Sequence, residues 1–541
     1  MNSLDTKGGQ LRGRTAPAWN GPLVTMLGMT VALLVGLLLI RLSPLEGAAF
    51  VGLLGLVIGA LIEPFAGLSA ALFLGPLKAY LSAEIPQIPA QIGHAFVALA
   101  LASWLMRRLS GRETLEPQHA DRTIVRAPLI LSSIIFIGAV LVSLWDAVGL
   151  AAYGIPELIK WAELVLLVLF VKEHLASTVG QQWIFRSSHA DTEAVGRRLR
   201  WLMAALLGTG VFQALVGIWQ FRLRDEGPEH FRILGGDFFR AYGTFEQPNP
   251  YAGYLALTTA LALGVALEAT RGRWVEWYAR AFDDADARQH SAGAADRQSI
   301  SRPLYVLSGT AVGVMLVALV ASWSRGAWMG FAAAVLVTVA AVPRKATWSV
   351  LLVAVLVVGG FGLYTSGSLP ASFTTRLTAF AQDVRLEDVR GVPINDANYA
   401  VIERLAHWQA ALSMFRYHPW TGVGFGCYES AYPSFALVNW PIALGHAHNI
   451  YLNMAAETGL LGLTAYLALW GVALWQTWRV TRRAQGLTRG LAIGLLGAWT
   501  HLSVHHLLDN LYVNNVHLHI GVLLGIAAFI VQRNGASEVD P

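Results

Sequence analysis

The sequence predicts an all-α, polytopic membrane helix bundle with about 12–14 transmembrane helices. Of its 541 residues, 55% are hydrophobic and 13% are charged, whereas soluble domains carry about 25% charged residues. A soluble fold could not bury this much apolar surface, so the composition excludes a soluble enzyme, a coiled coil and a disordered chain. Apolar runs of about 20 residues, the length that crosses a bilayer, also recur along the chain.

The apolar runs define the predicted transmembrane elements. Fourteen spans are predicted, at 22–41, 46–63, 66–82, 91–106, 127–145, 157–174, 201–221, 251–270, 304–323, 327–342, 347–364, 452–476, 490–508 and 514–532. Glu63 and Pro64 interrupt the pair at 46–82. One half of that pair is therefore either a full span or a re-entrant segment.

The positive charges predict the orientation. With the N-terminus inside and sides alternating, 26 of the 39 Lys and Arg residues fall in cytoplasmic segments, as the positive-inside rule requires. Two long stretches, 221–250 and 366–445, then lie outside, and loops of this length usually have a function. The polar insert 275–302 lies inside.

The net charge of +5 does not indicate nucleic-acid binding, and the single cysteine, Cys427, excludes a disulfide framework and a Cys-based zinc site.

Two arginines lie at predicted external helix ends. Arg240 precedes a turn containing Gly243, Pro248, Asn249 and Pro250. Arg325 lies in the very short connection between spans 304–323 and 327–342, against the positive-inside bias. An arginine fork suits phosphate, so both are candidate anion-binding residues. The structural alternative for Arg240 is a snorkelling interfacial arginine.

Histidines form two further sets. His446, His448 and Asn449 open a helix, with Asn449 or His448 as its cap. A neutral histidine can take a proton from a sugar hydroxyl; a metal-binding pair and a buried hydrogen-bonded histidine are the alternatives.

The second set, His501, His505 and Asp509, shares one helix face. These side chains are too far apart to bind one metal ion, which favours a proton relay or interhelical hydrogen bonds. Asp509 is then either a carboxylate that orients a histidine or an ion-pair partner at the helix end.

Arg404 begins a predicted amphipathic helix in the long external stretch. Leu405, Trp408, Leu412 and Phe415 recur at helical spacing. This stripe either lies on the membrane face or packs against the bundle, and packing is favoured. The following HPWTGVGFG reads as a turn, and without a preceding strand it is not a dinucleotide loop.

Four blocks in order resemble the O-antigen ligase and O-antigen polymerase superfamily of bacterial membrane glycosyltransferases. They are RAYGTFEQPNPYAGYL (240–255), SWSRGAWMG (322–330), RLAHWQAALSMFRYHPWTGVGFGCYESAYP (404–433) and HAHNIYLNMAAETGLLGL (446–463). His448-Asn449 followed by Gly459-x-x-Gly462 is the most specific spacing. The resemblance implies a GT-C-like bundle in three regions. These are N-terminal transmembrane helices (1–200), a ligase-like catalytic region (201–510) with a periplasmic loop (366–445), and a last helix with a cytoplasmic tail (511–541).

The resemblance also implies the substrates and the location. The donor is a glycan on a polyprenyl (undecaprenyl) diphosphate, and the acceptor is a lipid A–core sugar or another lipid-linked glycan. The protein sits in the bilayer of the bacterial inner membrane, its active site facing the periplasm. By motif, Arg240 and Arg325 resemble the diphosphate-binding arginines and His448 resembles the essential histidine. Arg404, Asn249, His446, Asn449 and Asp509 are expected to bind substrate.

The residues fit a metal-independent transfer. Two arginines can neutralise the diphosphate leaving group, and no external Asp-x-Asp cluster is present to hold a divalent ion. We therefore expect no metal and no cofactor. His448 would act as the base in a direct, inverting displacement.

Several alternatives remain open. Within the family, ligase is favoured over polymerase, and transfer to a protein hydroxyl is a minor option. From another class, a lipid-linked sugar transporter or flippase would suit fourteen spans, but the charges cluster at the outer face and no repeat symmetry is present. A non-catalytic scaffold is the last alternative.

Overall fold

The structure is a computed structural model of the chain. It describes residues 29–30, 41, 43–85, 88–89, 91–110, 113–114, 128–145, 147–179, 188–224, 226–281, 300–378, 388–395 and 398–536. Most of the predicted span 22–41 and most of the insert 275–302 lie outside these residues.

The chain divides into two compact units, Met1–Gly59 and Ala60–Pro541. In the first unit, the described residues from Pro44 onward are helical. The candidate site and every contact discussed below belong to the second unit.

Helices dominate the described part of the chain. They are α1 (Pro44–Ile62), α2 (Pro64–Leu74), α3 (Lys78–Glu84), α4 (Ile92–Leu109), α5 (Pro128–Ser143), α6 (Ile155–Ala176), α7 (Ser188–Ile218), α8 (Pro248–Ala281), α9 (Arg302–Ala321), α10 (Arg325–Ala341), α11 (Ala346–Thr365), α12 (Ala371–Thr378), α13 (Tyr399–Tyr417), α14 (Tyr428–Ala431), α15 (Ile450–Arg483), α16 (Gly486–His505) and α17 (Val516–Ala536). Two small antiparallel pairs accompany them, β1 (Glu113–Thr114) with β2 (Thr178–Val179) and β3 (Arg232–Ile233) with β4 (Phe238–Phe239).

The helices confirm a polytopic helical membrane protein. Thirteen of the fourteen predicted spans coincide with helices. Within the described residues, seven stretches are long and apolar enough to cross a membrane, at Pro64–Glu84, Val195–Leu223, Pro248–Trp274, Arg302–Ala321, Ala346–Thr365, Ile450–Arg483 and Val516–Asn534. Shorter apolar helices occur at Glu46–Ile62, Pro128–Ser143 and Arg325–Ala341. Which of the remaining helices cross the membrane stays a prediction, and so does the orientation of the protein in the membrane.

Helix α8 lies at the centre of the second unit, in contact with α9, α10 and α16. Its closest approach is to α16, where a Cβ on Gly264 would lie 2.1 Å from the Gly494 nitrogen. Small residues let membrane helices approach this closely. This packing brings the first residue of α8, the first residue of α10 and the end of α16 to one end of the bundle.

The predicted long external stretch has structure of its own. It contains α12, α13 and α14, and between them two core clusters, one around Ile402 and Trp440 and one around Met414 and Tyr432. The predicted apolar stripe on α13 is wrong in part, because Leu412 is exposed. The buried face instead includes Ala410, Ala411 and Met414, which share a core cluster with Ala456 of α15.

Candidate active site

Arg240 is fixed in place by two hydrogen bonds. It follows β4, and its Nε donates to the Ser322 carbonyl at 3.0 Å while its Nη2 donates to Asn249 Oδ1 at 3.0 Å. The predicted turn is confirmed at Gly243, which has a φ of +55°, but it is wrong for 248–250, because these residues form the first turn of α8. Pro248 and Pro250 are tolerated there because first-turn nitrogens need no helical hydrogen bond.

Arg325 is the first residue of α10, and Ser324 is its N-cap residue. The backbone before it is unusual, since Trp323 has a φ of +57°. Non-glycine residues in this left-handed region are uncommon and cluster at functional sites. The tight connection between α9 and α10 therefore fixes the position of Arg325 at the start of α10.

The loop supplies two more arginines, Arg376 from α12 and Arg404 from α13. Arg376 donates to the Trp323 carbonyl through Nη2 at 3.3 Å, and α12 is docked beside it by Phe373, whose ring stacks on Trp328 with centroids 4.7 Å apart. Sequence reasoning missed Arg376. Its one available signal was a basic residue in the long external stretch, without a motif around it.

The four arginines line one cavity of about 240 Å³, which we call the arginine cavity. Its other lining residues are Asn249, Ser324, Gly326, Met329, Ala400, Val401, Leu405, Trp408, His505, Leu508 and Asp509. Among these described lining residues Asp509 is the one carboxylate. The first turns of α8 and α10 also border it, and helix N-termini favour anions.

The electrostatics of this cavity favour an anionic ligand. Burial, with the positive charges of the other three arginines, lowers the pKa of Arg240 to about 9. Burial and the charges of Arg325 and Arg404 lower the pKa of Arg376 to about 10. Arginine in water keeps its charge at any ordinary pH. Like charges this close are tolerated when an anion can enter between them.

His448 is presented by the start of α15. Asn449 caps this helix, its Oδ1 accepting from the backbone nitrogens of Tyr451 and Leu452 at 3.0 and 3.1 Å, and its Nδ2 donating to the Leu507 carbonyl at 3.0 Å. The predicted cap is therefore confirmed. Since the Asn449 amide makes these backbone contacts and lines neither cavity, its expected contact with substrate stays a prediction.

His448 itself is strained and short of partners. Its φ is +53°, and both ring nitrogens are buried without a hydrogen-bond partner among the described residues. Its nearest acidic neighbour is Asp509, with Nδ1 3.6 Å from Oδ1, longer than a hydrogen bond. Buried polar atoms are rarely left unpaired, so this ring is suited to a ligand.

A larger cavity, of about 810 Å³, opens next to the arginine cavity. We call it the acceptor cavity, after the role that is proposed for it below. His446 and His448 line it, and it shares Arg240, Asn249 and Asp509 with the arginine cavity. The two cavities therefore meet at the point where His448 and Arg240 face the same space.

Three groups next to His448 have pKa values that are shifted from their ordinary values. Burial and the charge of His448 lower the pKa of His446 to about 3, and they lower that of His407 to about 4. Burial acts to raise the pKa of Asp509, but His448 and His446 outweigh it and hold that pKa well below its ordinary value. At neutral pH the surroundings of His448 are thus two neutral imidazoles and one carboxylate.

Among the residues that the structure describes, two groups of side chains have the geometry to hold a metal ion. His446, His448 and Asp509 offer ligand atoms within 4.8 Å of one another, and so do His94, Glu163 and His517. The first group keeps the metal alternative for the His446–His448 pair open. His501 is not part of it: its Nε2 lies 3.1 Å from the Gly253 carbonyl, while His505 lines the arginine cavity.

Gly459, in the fourth sequence block, interrupts the regular geometry of α15. Gly459 has φ +61° and ψ −159°, which kinks α15. A Cβ there would lie 2.3 Å from the Trp420 carbonyl carbon. The backbone of 419–420 closes the kink, with Leu460 nitrogen donating to the Pro419 carbonyl at 2.8 Å. The block's spacing thus reflects where the external stretch packs on α15.

Comparison with known families gives one match. Residues 310–467 match the family model described as O-Antigen ligase. This segment contains Arg325, Arg376, Arg404, His446 and His448, and it ends within α15. No curated protein matches the chain.

Proposed function

We propose that this chain is a membrane glycosyltransferase of the O-antigen ligase/polymerase family, whose model matches residues 310–467, and that it moves a glycan from a polyprenyl diphosphate to a sugar hydroxyl, as a ligase does. The observation that carries this proposal is the junction of the two cavities. One holds four arginines, and the other holds a histidine with two unpartnered ring nitrogens.

The arginine cavity binds the diphosphate in this proposal. Arg240, Arg325, Arg376 and Arg404 neutralise the charge that grows as the leaving group departs, and charge stabilisation of this kind is usually the largest part of catalysis. Asn249 holds the Arg240 fork, so it positions one of the four. The volume and the charge both match a pair of phosphate groups better than a neutral sugar.

The acceptor cavity holds the attacking sugar. Its hydroxyl oxygen forms a bond to the anomeric carbon while the bond from that carbon to the diphosphate oxygen breaks. The hydroxyl proton goes to His448. Since Nδ1 faces Asp509, Nε2 is the nitrogen that takes the proton, and Asp509 stabilises the resulting imidazolium. Attack from the face opposite the leaving group inverts the anomeric carbon.

The membrane arrangement follows from the same proposal. The arginines and His448 lie at the end of the bundle that the charge pattern places outside, so the donor is bound at the periplasmic face of the inner membrane. The prenyl chain stays in the bilayer. Lipid A–core is the acceptor proposed for a ligase, and a second lipid-linked glycan is the acceptor for a polymerase.

A transfer assay tests the proposal. Purified protein in lipid receives polyprenyl-diphosphate glycan, with EDTA, with and without core-lipid acceptor. Acceptor-dependent product that is lost in His448→Ala, Arg240→Ala and Arg325→Ala supports a metal-independent ligase. His418→Ala, which changes a histidine outside both cavities, is the control.

Other outcomes separate the alternatives. A ladder from donor alone makes the protein a polymerase. Activity that is lost to EDTA and restored by a divalent ion, in the wild type and in Glu163→Gln alike, assigns a metal to His446, His448 and Asp509 rather than to the group of His94, Glu163 and His517. Unchanged donor with folded protein and cognate glycan overturns the proposal, as does a retained anomeric configuration.

A further inference from the structure

A second cluster of polar side chains lies close to residues of the acceptor cavity but does not line it. His94 comes from the first turn of α4, Glu163 from the middle of α6 and His517 from the first turn of α17. His94 Nδ1 lies 2.8 Å from Glu163 Oε2, and His517 Nε2 lies 3.0 Å from the same oxygen. Three helices that are far apart in sequence thus aim one ligand atom each at one point.

The protonation of His94 can be worked out from its outer contact. Asn515 Nδ2 donates to the Gly75 carbonyl at 3.3 Å, which fixes the amide so that Oδ1 faces His94 Nε2 at 3.0 Å. An amide oxygen only accepts, so Nε2 carries a hydrogen. If His94 is neutral, Nδ1 then presents a lone pair to the Glu163 carboxylate, and a cation is needed between them.

We infer that His94, Glu163 and His517 bind a divalent transition-metal ion, of which Zn²⁺ is the best fit. Two imidazole nitrogens and one carboxylate are a donor set that zinc accepts, whereas calcium and magnesium prefer oxygen ligands. Bond lengths of about 2.0–2.2 Å place neighbouring ligand atoms roughly 3 Å apart, close to the two separations from Oε2. The hydrogen bond from His94 to Asn515 is the outer contact that metal-binding histidines usually make.

The cluster is partly accessible, since the side chains of His94 and Glu163 are 30% and 13% exposed. Lys160, one turn before Glu163 on α6, lines the acceptor cavity together with Tyr512 and Asn514. The charge of Lys160 is matched by Glu157 at 2.6 Å. Lys78 acts on His94 and Lys160 acts on His517 electrostatically, so these two charges oppose a bound cation.

The ion has a structural role, because no ligand of this cluster lines either cavity. It ties α4, α6 and α17 together beneath the acceptor cavity. The inference does not rest on the proposed function, since it concerns residues outside the transfer site. It also leaves the transfer chemistry free of metal.

Metal content is the first test. Full-length protein purified without chelator is measured by plasma mass spectrometry, and the metal-free protein is titrated with Co²⁺ alone while its visible absorption is recorded. One metal ion per chain is expected, with Co²⁺ bands that disappear in Glu163→Gln and His517→Ala. His448→Ala should keep the ion, which separates this cluster from His446, His448 and Asp509.

Two further variants guard against misfolding. Asn515→Ala should weaken Co²⁺ binding by roughly 10- to 100-fold, as loss of an outer contact does, and Lys78→Met should tighten it. Wild-type protein that is folded, contains no transition metal and gives no Co²⁺ bands overturns the inference. In that case His94 carries a second proton and the cluster is an imidazolium–carboxylate pair.

Discussion

His448 and Asp509 face each other across the junction of α15 and α16, with Nδ1 3.6 Å from Oδ1. The backbone locks this arrangement, since the Ile450 nitrogen donates to the His506 carbonyl at 2.9 Å. Asp509 is held further by the Asn510 nitrogen, which donates to Oδ1 at 2.9 Å. A small rotation of the His448 ring would turn the contact into a hydrogen bond.

Asp509→Asn tests this relationship. An amide keeps the size of the side chain but cannot stabilise an imidazolium, so kcat should fall by about 10-fold or more, up to the 10²–10⁴-fold that a general base contributes. The KM for the donor should change little. Steady-state transfer kinetics measure both, and a variant with wild-type kcat would remove Asp509 from the mechanism.

Arg376→Ala tests the arginine that the sequence motifs do not mark. Removing one of four positive charges should raise the donor KM by roughly 10-fold or more, the loss of one charge-assisted hydrogen bond of about 1.5–3 kcal/mol. Arg416→Ala is the matched control, because Arg416 is exposed on α13 and lines neither cavity. Equal KM values in the two variants would contradict a role for Arg376.

The crowded charges also predict a stability effect. Arg240 and Arg376 have pKa values lowered to about 9 and about 10, so the folded protein without ligand holds these protons less well than the unfolded chain does. This costs stability below pH 9. Pyrophosphate should therefore raise the melting temperature of the wild type, and Arg376→Ala without ligand should melt roughly 1–3 °C higher. A lower melting temperature in Arg376→Ala would contradict the repulsion.

The pH profile gives an independent test of Arg240. Its guanidinium is charged below its pKa of about 9 and neutral above it, so kcat/KM for the donor should fall as the pH rises through 9. At saturating donor the measured quantity is kcat, and its fall should occur at a higher pH, because bound diphosphate favours the charged form of Arg240. Lysine has an ordinary pKa about two units below that of arginine, so Arg240→Lys should move the alkaline limb to lower pH. A profile that stays flat to pH 10 would contradict this.

Sequence alone could predict the helices and part of the site, because apolar length and local motifs are properties of one segment. Arg240, Arg325 and His448 each lie in such a motif, and the structure brings them to one place. Arg376 has no motif, and its place depends on Phe373 stacking on Trp328.

The cluster at His94 was missed for a related reason. Its three ligands lie on helices whose order in the bundle no single segment encodes. The prediction for the apolar stripe of α13 is wrong in part because the small residues Ala410 and Ala411, rather than Leu412, share a core cluster with Ala456 of α15. Periodicity shows that a helix has two faces, but the partner decides which one is buried.

Gly459→Ala tests whether the kink in α15 holds the site together. At φ +61° and ψ −159° the backbone conformation is open mainly to glycine, and an alanine there costs about 1–3 kcal/mol. Its Cβ would also lie 2.3 Å from the Trp420 carbonyl carbon. We expect a lower melting temperature and reduced transfer, since the backbone at Trp420 must move.

Gly471→Ala on the same helix is the matched control, because a Cβ there meets nothing within 4 Å. That control should melt at or slightly above the wild-type temperature, by the helix preference of alanine. Fluorescence-detected size-exclusion after heating measures both, and equal melting curves would show that the kink is not required.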